Sequence, residues 1–504
     1  ELLHIIGLEE VKDKGKKIIY RKSKENRDYA SFLENTIFTL EDRDYLVNIR
    51  GFEGDNEKSF NVGLELCLTW INRILFLKLL ESQLLAHHKG AKEYKFLNSD
   101  FIGGFDVLNN LFFSALAKKP EERHQRYRDK FKNIPYLNSS LFERNELENA
   151  TFAISAINDD EIEVYSSTIL KDSNGNRLKG KLGILDYLFK FLDSYDFATD
   201  GNEGIQEGSE HKTLINASVL GLIFEKINGY KEGSFYTPAS ITMYMTKETL
   251  RRSVVKKFKE AENNQIENFD DLKAYCRKYF KIEDIARFNA IINSMRICDP
   301  AVGSGHFLVS ALNELIAIKN ELGIITDNKG LSLRCDIHVA NDELFIIDEN
   351  GSLFEYNPNN IESSRIQRTL FNEKQTLIEN CLFGVDINPN SVKICRLRLW
   401  IELLKNAYYT ENKELQTLPN IDINIKNGNS LISRFQLTDN LRSAFKGKKI
   451  KYNFTDYKNA VSKYKNTNSK EEKREVLEII NEVKSDFKSS LDRAFVKKFQ
   501  AAQG

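Results

Sequence analysis

Proline is scarce in this chain, with seven in 504 residues. Between residues 58 and 134 Pro120 stands alone, so little there interrupts a helical pattern. Long apolar runs are missing too. The longest candidate, LELCLTWINRILFLKLL, is broken by Asn72, Arg73 and Lys78, whereas a membrane helix needs roughly 20 consecutive apolar residues. It reads as a buried or amphipathic helix, and no membrane association is expected. Six cysteines (Cys67, Cys276, Cys298, Cys335, Cys381, Cys395) occur without a CxxC pair. That argues against a zinc knuckle or disulfide scaffold and favours a reducing, cytoplasmic setting. No signal-peptide pattern opens the chain, and the first residue, Glu1, suggests a processed or cut N-terminus. Excess charge of either sign is also absent, since 73 basic residues balance 73 acidic ones. Overall charge therefore does not point to a polyanion partner.

What is present is local. KDKGKKIIYRKSK near the start and FKGKKIKYNFTDYKNAVSKYK near the end are lysine-rich. Each fits a solvated surface, and each could also supply phosphate contacts without reading bases. The length suits two or three domains. Residues 1–57 read as an N-terminal segment or connector, and 58–200 as a mostly helical domain with a short hairpin around Asn174-Gly175. The polar, glycine-rich stretch 198–212 is the expected linker. From 201 to 504 the pattern changes to strand, turn, helix, strand, turn, helix, strand, which predicts a parallel sheet wound with helices. An alternating segment at 322–360 predicts a hairpin insertion turning at Glu349-Asn350-Gly351. A charged helical segment fills 436–504.

Ligands of such sheets sit at the carboxyl ends of the strands, and three turns lie there. The first, in RICDPAVGSGHFL, has Gly303 and Gly305, where backbone can approach a ligand without a Cβ in the way. Glycine there also serves packing alone. Asp299 just before them is costly to bury unless a cation or donor meets it, which disfavours a phosphate and favours an amino group. The second turn, GVDINPNSV, places Asp386 where an acidic residue takes ribose hydroxyls, beside Ile387, which could cover one adenine face. Asp386 could instead cap the helix that starts near Asn388. The third, IKNGNSL, offers Asn429, whose amide can pair with an adenine edge or simply complete a turn. His306 reads as a helix-start residue, and no sequence neighbour supports a metal.

GSFYTP (233–238), DPAVGSGHFL (299–308), GVDINP (384–389) and NIKNGNSLI (424–432), in this order, resemble the cofactor half of amino-methylating DNA adenine methyltransferases. The closest resemblance is to type IIG restriction-modification enzymes and related phage-defence modification enzymes; IPYLNSSLFE and RLRLWIELL are similar to that group as well. The resemblance covers about 210–435 well and the preceding helical region more loosely. It implies a Rossmann-like α/β core that binds S-adenosylmethionine, with a mostly helical N-terminal domain, and N6-adenine methylation of double-stranded DNA. Carried over by motif, Tyr236, Thr237 and Pro238 close over the methionine end, and Asp299 and Gly303 hold its amino and carboxylate groups. Pro300, Ala301, Gly305 and Phe307 belong to the same cofactor turn. Asp386 takes the ribose, Ile387 the adenine face and Asn429 the adenine edge.

The chain departs from the family at one decisive place. Methyl transfer there uses an Asn-Pro-Pro-aromatic turn, and the nearest matches, NPNN at 357 and NPNS at 388, lack the second proline and the aromatic. No catalytic residue is therefore assigned, and a truncated piece of a longer enzyme is expected, with DNA contacts mainly outside these residues. The alternative is a cofactor-binding scaffold or subunit that needs a partner. A nicotinamide-dependent dehydrogenase would need a G-x-G-x-x-G turn, where GSGHFL has leucine. A nuclease would need an acidic pair with Glu-x-Lys; GLEEVKDK offers Glu10 and Lys12, read as helical or loop-like, and no nuclease is expected here.

Overall fold

The computed structural model describes residues 1–13, 16–49, 57–198, 212–228, 237–262, 265–279, 281–416, 418–419, 421–432, 452–467 and 472–485. Helix α1 (Lys58–His87) organises the N-terminal part. The polar residues that interrupt its apolar run do not face water, because Asn72, Arg73 and Lys78 are all buried. Each charge is matched locally: Arg73 meets Glu148 at 2.5 Å and Lys78 meets Glu81 at 2.7 Å. The expected hairpin near Asn174-Gly175 is present, with Glu161–Glu163 antiparallel to Lys181–Gly183 and a bridge from Lys171 to Arg177.

Two sequence expectations are corrected. Glu10 and Lys12 lie on a strand, Leu8–Asp13, antiparallel to Lys16–Arg21, not in a helix or loop. The β-branched and aromatic run Ile18-Ile19-Tyr20 favours the extended form of that partner strand. Glu10 is engaged by Lys226 at 2.8 Å, and no metal-ligating cluster occurs among the described residues. The second correction concerns the 322–360 insertion and follows below.

Helix α2 (Ala217–Asn228) and helix α3 (Ala239–Ala261) lead towards the sheet. Strand β1 (Ile297–Asp299) then enters helix α4 (His306–Glu321) through the glycine turn. The insertion forms β2 (Asp336–Ala340) and β3 (Glu343–Ile347), and its main turn is Asn341-Asp342, with φ of 51° and 64°. Asn and Asp tolerate this left-handed backbone better than other side-chain-bearing residues. The expected Glu349-Asn350-Gly351 turn exists as a second, outer turn closed by an Ile347–Leu353 bridge. Helix α5 (Ile361–Cys381), strand β4 (Leu382–Asp386), helix α6 (Pro389–Leu404) and strand β5 (Ile425–Asn427) complete the order.

The sheet is fully parallel, ordered β5-β4-β1, with Gly384 opposite both Asp299 and Ile425, and Asp386 opposite Asn427. That register brings all three strand ends to one edge. Apolar packing is continuous from Ile5 through α1 to Ile425. Polar ties reinforce it: Lys393 reaches Glu65 at 2.7 Å, and His88 Nε2 lies 2.8 Å from the Tyr409 hydroxyl. Among the described residues no helix is long and apolar enough to cross a membrane. Most of the expected linker (199–211), Tyr236, and much of the 436–504 segment lie outside the described residues; 454–466 and 472–485 are helical.

Candidate functional site

The three turns are stitched to one another by hydrogen bonds. Gly303 N–H donates to Asp386 Oδ2 at 2.8 Å and Val302 N–H to the Val385 carbonyl at 2.9 Å, joining the first turn to the second. Gly428 N–H donates to the Asp386 carbonyl at 2.9 Å, and Asn427 Nδ2 to the Asp386 and Ile387 carbonyls, each at 3.0 Å. Ser430 Oγ donates to the Pro300 carbonyl at 2.5 Å, closing the third turn onto the first.

Glycine is required at two of these positions. Gly305 has φ +87°, and a Cβ there would lie 2.7 Å from Cys395 Sγ on α6. A Cβ on Gly384 would lie 2.7 Å from the Val302 side chain. Both glycines let the first turn sit directly on the second strand and its helix.

The electrostatics of the strand ends are acidic. Burial raises the Asp299 carboxyl above its ordinary range, and the Asp386 charge pushes in the same direction, against the Ala301 N–H that it accepts at 3.0 Å. Asp386 Oδ1 accepts the Asn388 N–H at 2.7 Å and its Oδ2 the Gly303 N–H, so Asp386 braces the residue that caps the helix and does not cap it itself. Asn388 itself caps α6 by accepting from Asn390 N–H, with Pro389 in the first turn. Asn429 Oδ1 accepts the Leu431 N–H at 2.9 Å, which leaves its amide NH2 as the group it can offer outward. Ile387 is 71 % exposed beside these polar groups.

Of the residues singled out in the sequence, Asp299, Pro300, Ala301, Gly303, Gly305, Asp386, Ile387 and Asn429 lie on these joined turns, and half-buried Phe307 follows in α4. Thr237 and Pro238 precede α3, which is tied to α4 by the Thr242 and Ser310 hydroxyls at 3.0 Å. His306 stands at the first position of α4, as expected. Sequence reasoning missed what surrounds it: Ser304, Glu225, Asp342 and Arg398, all buried. A partial signal existed in Glu225 of GLIFEKI and Arg398 of RLRLWIELL, charged residues set in largely apolar helical segments.

Residues 274–503 match the family described as MmeI, DNA-methyltransferase domain, and residues 1–215 match a domain of unknown function, DUF7814. Over 384 residues the chain is 30% identical to the putative type II restriction enzyme and methyltransferase RM.MjaORFECS2P of Methanocaldococcus jannaschii, covering 72% of this chain and 27% of that protein. Over 374 residues it is 25% identical to the type II restriction enzyme and methyltransferase RM.Eco57I of Escherichia coli, covering 73% and 27%. Residues 274–503 are thus similar to a methyltransferase domain of restriction-modification enzymes. The chain spans about a quarter of the length of these two relatives. A solved structure of the type IIL restriction-modification enzyme MmeI in complex with DNA is 14% identical, covers 87% of this chain and 46% of that one, and has a TM-score of 0.37.

Proposed function

We propose that the three joined turns are the S-adenosylmethionine site of a Rossmann-like core serving N6-adenine methylation of double-stranded DNA in a restriction-modification or phage-defence setting. The carrying observation is that Asp299 and Asp386 end neighbouring parallel strands whose turns are joined by the Gly303 N–H donating to Asp386, with Asp299 raised by burial and by the Asp386 charge. Two carboxylates at neighbouring strand ends suit a ligand with a positive amino group and ribose hydroxyls, and disfavour a pyrophosphate. The fit extends along an adenosine. Asp299 offers an acceptor for the amino group and the Gly303–Gly305 backbone a close approach. Asp386 offers a carboxylate to the ribose, Ile387 an exposed apolar face to the adenine ring, and the Asn429 amide a donor to its edge. Thr237 and Pro238, with Tyr236 by resemblance, cover the methionine end.

When bound, the cofactor supplies a sulfonium methyl group for in-line transfer to an amine. The chain's own part is to orient it, because most of the acceleration in such transfers comes from positioning. Target adenine would be flipped out of the duplex, as enzymes that modify bases do. The turn that holds its amine in this family is not among the 504 residues. We therefore assign cofactor binding to this chain and no base-holding turn to its 504 residues.

Titration with two ligands tests the assignment. Asp299→Ala should weaken S-adenosylmethionine roughly 10- to 100-fold, the scale of a lost hydrogen bond to a charged group. It should barely alter binding of 5′-methylthioadenosine, which has no amino-acid tail. Equal losses for both ligands, or tight binding of a nicotinamide dinucleotide, would refute the reading.

A further inference from the structure

Beneath the glycine turn lies a buried ionic cluster drawn from four separate segments. Glu225 on α2 meets His306 Nε2 at 2.6 Å and Arg398 Nη1 on α6 at 3.3 Å, and its Oε1 also accepts from the Ser304 hydroxyl. Arg398 Nη2 lies 3.2 Å from His306 Nδ1, and its Nη1 lies 3.4 Å from Ser304 Oγ. Asp342, at the left-handed turn of the β2–β3 hairpin, is 3 % exposed. Its Oδ2 stands 4.0 Å from His306 Nδ1, while its Oδ1 accepts from Ser310 Oγ at 2.6 Å and its carbonyl from Asn313 Nδ2 at 2.8 Å. From α3 the Thr242 hydroxyl meets Ser310, and one turn further along α4 the α3 residue Arg251 pairs with Glu314 at 2.6 Å.

The chemistry of the cluster is balanced when His306 is charged: two carboxylates against one guanidinium and one imidazolium. Burial and Arg398 press His306 towards its neutral form, but Asp342 and Glu225 outweigh them and raise it above its ordinary 6.5. An unbalanced charge buried here would be costly, so each member depends on the others. Gly221 on α2 has its place in the same arrangement, since a Cβ there would lie 3.0 Å from the Arg398 guanidinium.

We propose that the hairpin insertion is a strut for the cofactor turn: Asp342 fixes His306 and Ser310 at the start of α4, and His306 with Glu225 fixes Ser304 between the two glycines. The inference rests on the cofactor reading for its consequence, affinity, but not for its structural content. Asp342, His306 and Glu225 are positioning residues and do not touch the ligand.

Hydrogen exchange across residues 299–308 of the full 504-residue chain, measured without ligand, tests the strut directly. Asp342→Ala and His306→Gln should speed exchange of the glycine-turn amides by about tenfold, the scale of a lost charge-assisted hydrogen bond. Ser310→Ala, a gentler change at the same contact, should give the same local pattern at about threefold. Exposed Glu349→Ala, on the outer turn of the same insertion, should leave exchange unchanged. Unchanged exchange in Asp342→Ala and Ser310→Ala overturns the strut, and so does a uniform rise over the whole chain in both. The same samples titrated with S-adenosylmethionine should lose affinity in step with faster exchange. A wild-type chain that fails to bind would refute the cofactor reading while the exchange result still decides the strut.

Discussion

Two buried ionic clusters sit in the two halves of the molecule, and they are built differently. In the N-terminal half, Arg73 forks onto both oxygens of Glu148 at 2.5 and 2.8 Å and donates to the Leu141 and Glu143 carbonyls. Trp70 Nε1 adds a third bond to Glu148 at 2.8 Å. One cation and one anion there saturate each other. Under the glycine turn, by contrast, Arg398, Glu225, His306 and Asp342 share charge over four segments. The first arrangement pins loops to a helix. The second holds the backbone of the glycine turn, and it includes His306, which burial lowers but Asp342 and Glu225 raise above its ordinary range.

The largest effect that separates them is loss of one partner in the closed pair. Arg73→Ala leaves Glu148 buried and uncompensated, and should cost about 3–5 kcal/mol in urea unfolding. Cofactor affinity at the folded chain should not change, and a matching drop in affinity would break the comparison.

A second contrast lies in pH. Burial by itself would raise Glu148, but Arg73 outweighs it and holds the carboxyl below its ordinary 4.5. Its stabilisation is present above that ordinary value and is lost as pH falls through the lowered one. His306 is raised above 6.5, so its stabilisation is full below 6.5 and is lost as pH rises through the raised value. Unfolding midpoints on the alkaline side should therefore flatten in His306→Gln and remain sloped in Glu148→Gln. The reverse pattern would undo the assignment of roles.

The smallest effect is expected at Gly221. Gly→Ala inside a helix ordinarily stabilises by roughly 0.5–1 kcal/mol. Here the new Cβ crowds Arg398, so thermal unfolding should show little or no gain and cofactor affinity should fall about two- to threefold, a shift of under 1 kcal/mol. A full stabilising gain with unchanged affinity would show that Arg398 is not held against α2.

Much of the sheet and its three turns was legible because strand ends, glycines and capping residues signal themselves within a few neighbours. Asn388-Pro389 starts α6 and Asp299 precedes the glycine turn, as the pattern implied. The turn at Asn350-Gly351 was legible because it is the stronger local signal, while the one at Asn341-Asp342 was missed because its left-handed backbone is supported by tertiary burial of Asp342. Glu10 and Lys12 were misread because their strand depends on pairing with Ile18 and Ile19, not on its own alternation. The members of the ionic cluster stand out as charges in apolar segments, but their meeting could not be read: Arg398 and Glu225 are 173 positions apart, and nothing local to either names the other.

Calorimetric titration of the 504-residue chain with S-adenosylmethionine, beside Asp386→Ala, tests the central claim that the joined turns form a cofactor site. Saturable binding by the wild type and its loss in the variant, which also removes the acceptor of the Gly303 N–H, are the expected result. Equal binding by a folded Asp386→Ala chain, or none by a folded wild type, would contradict it.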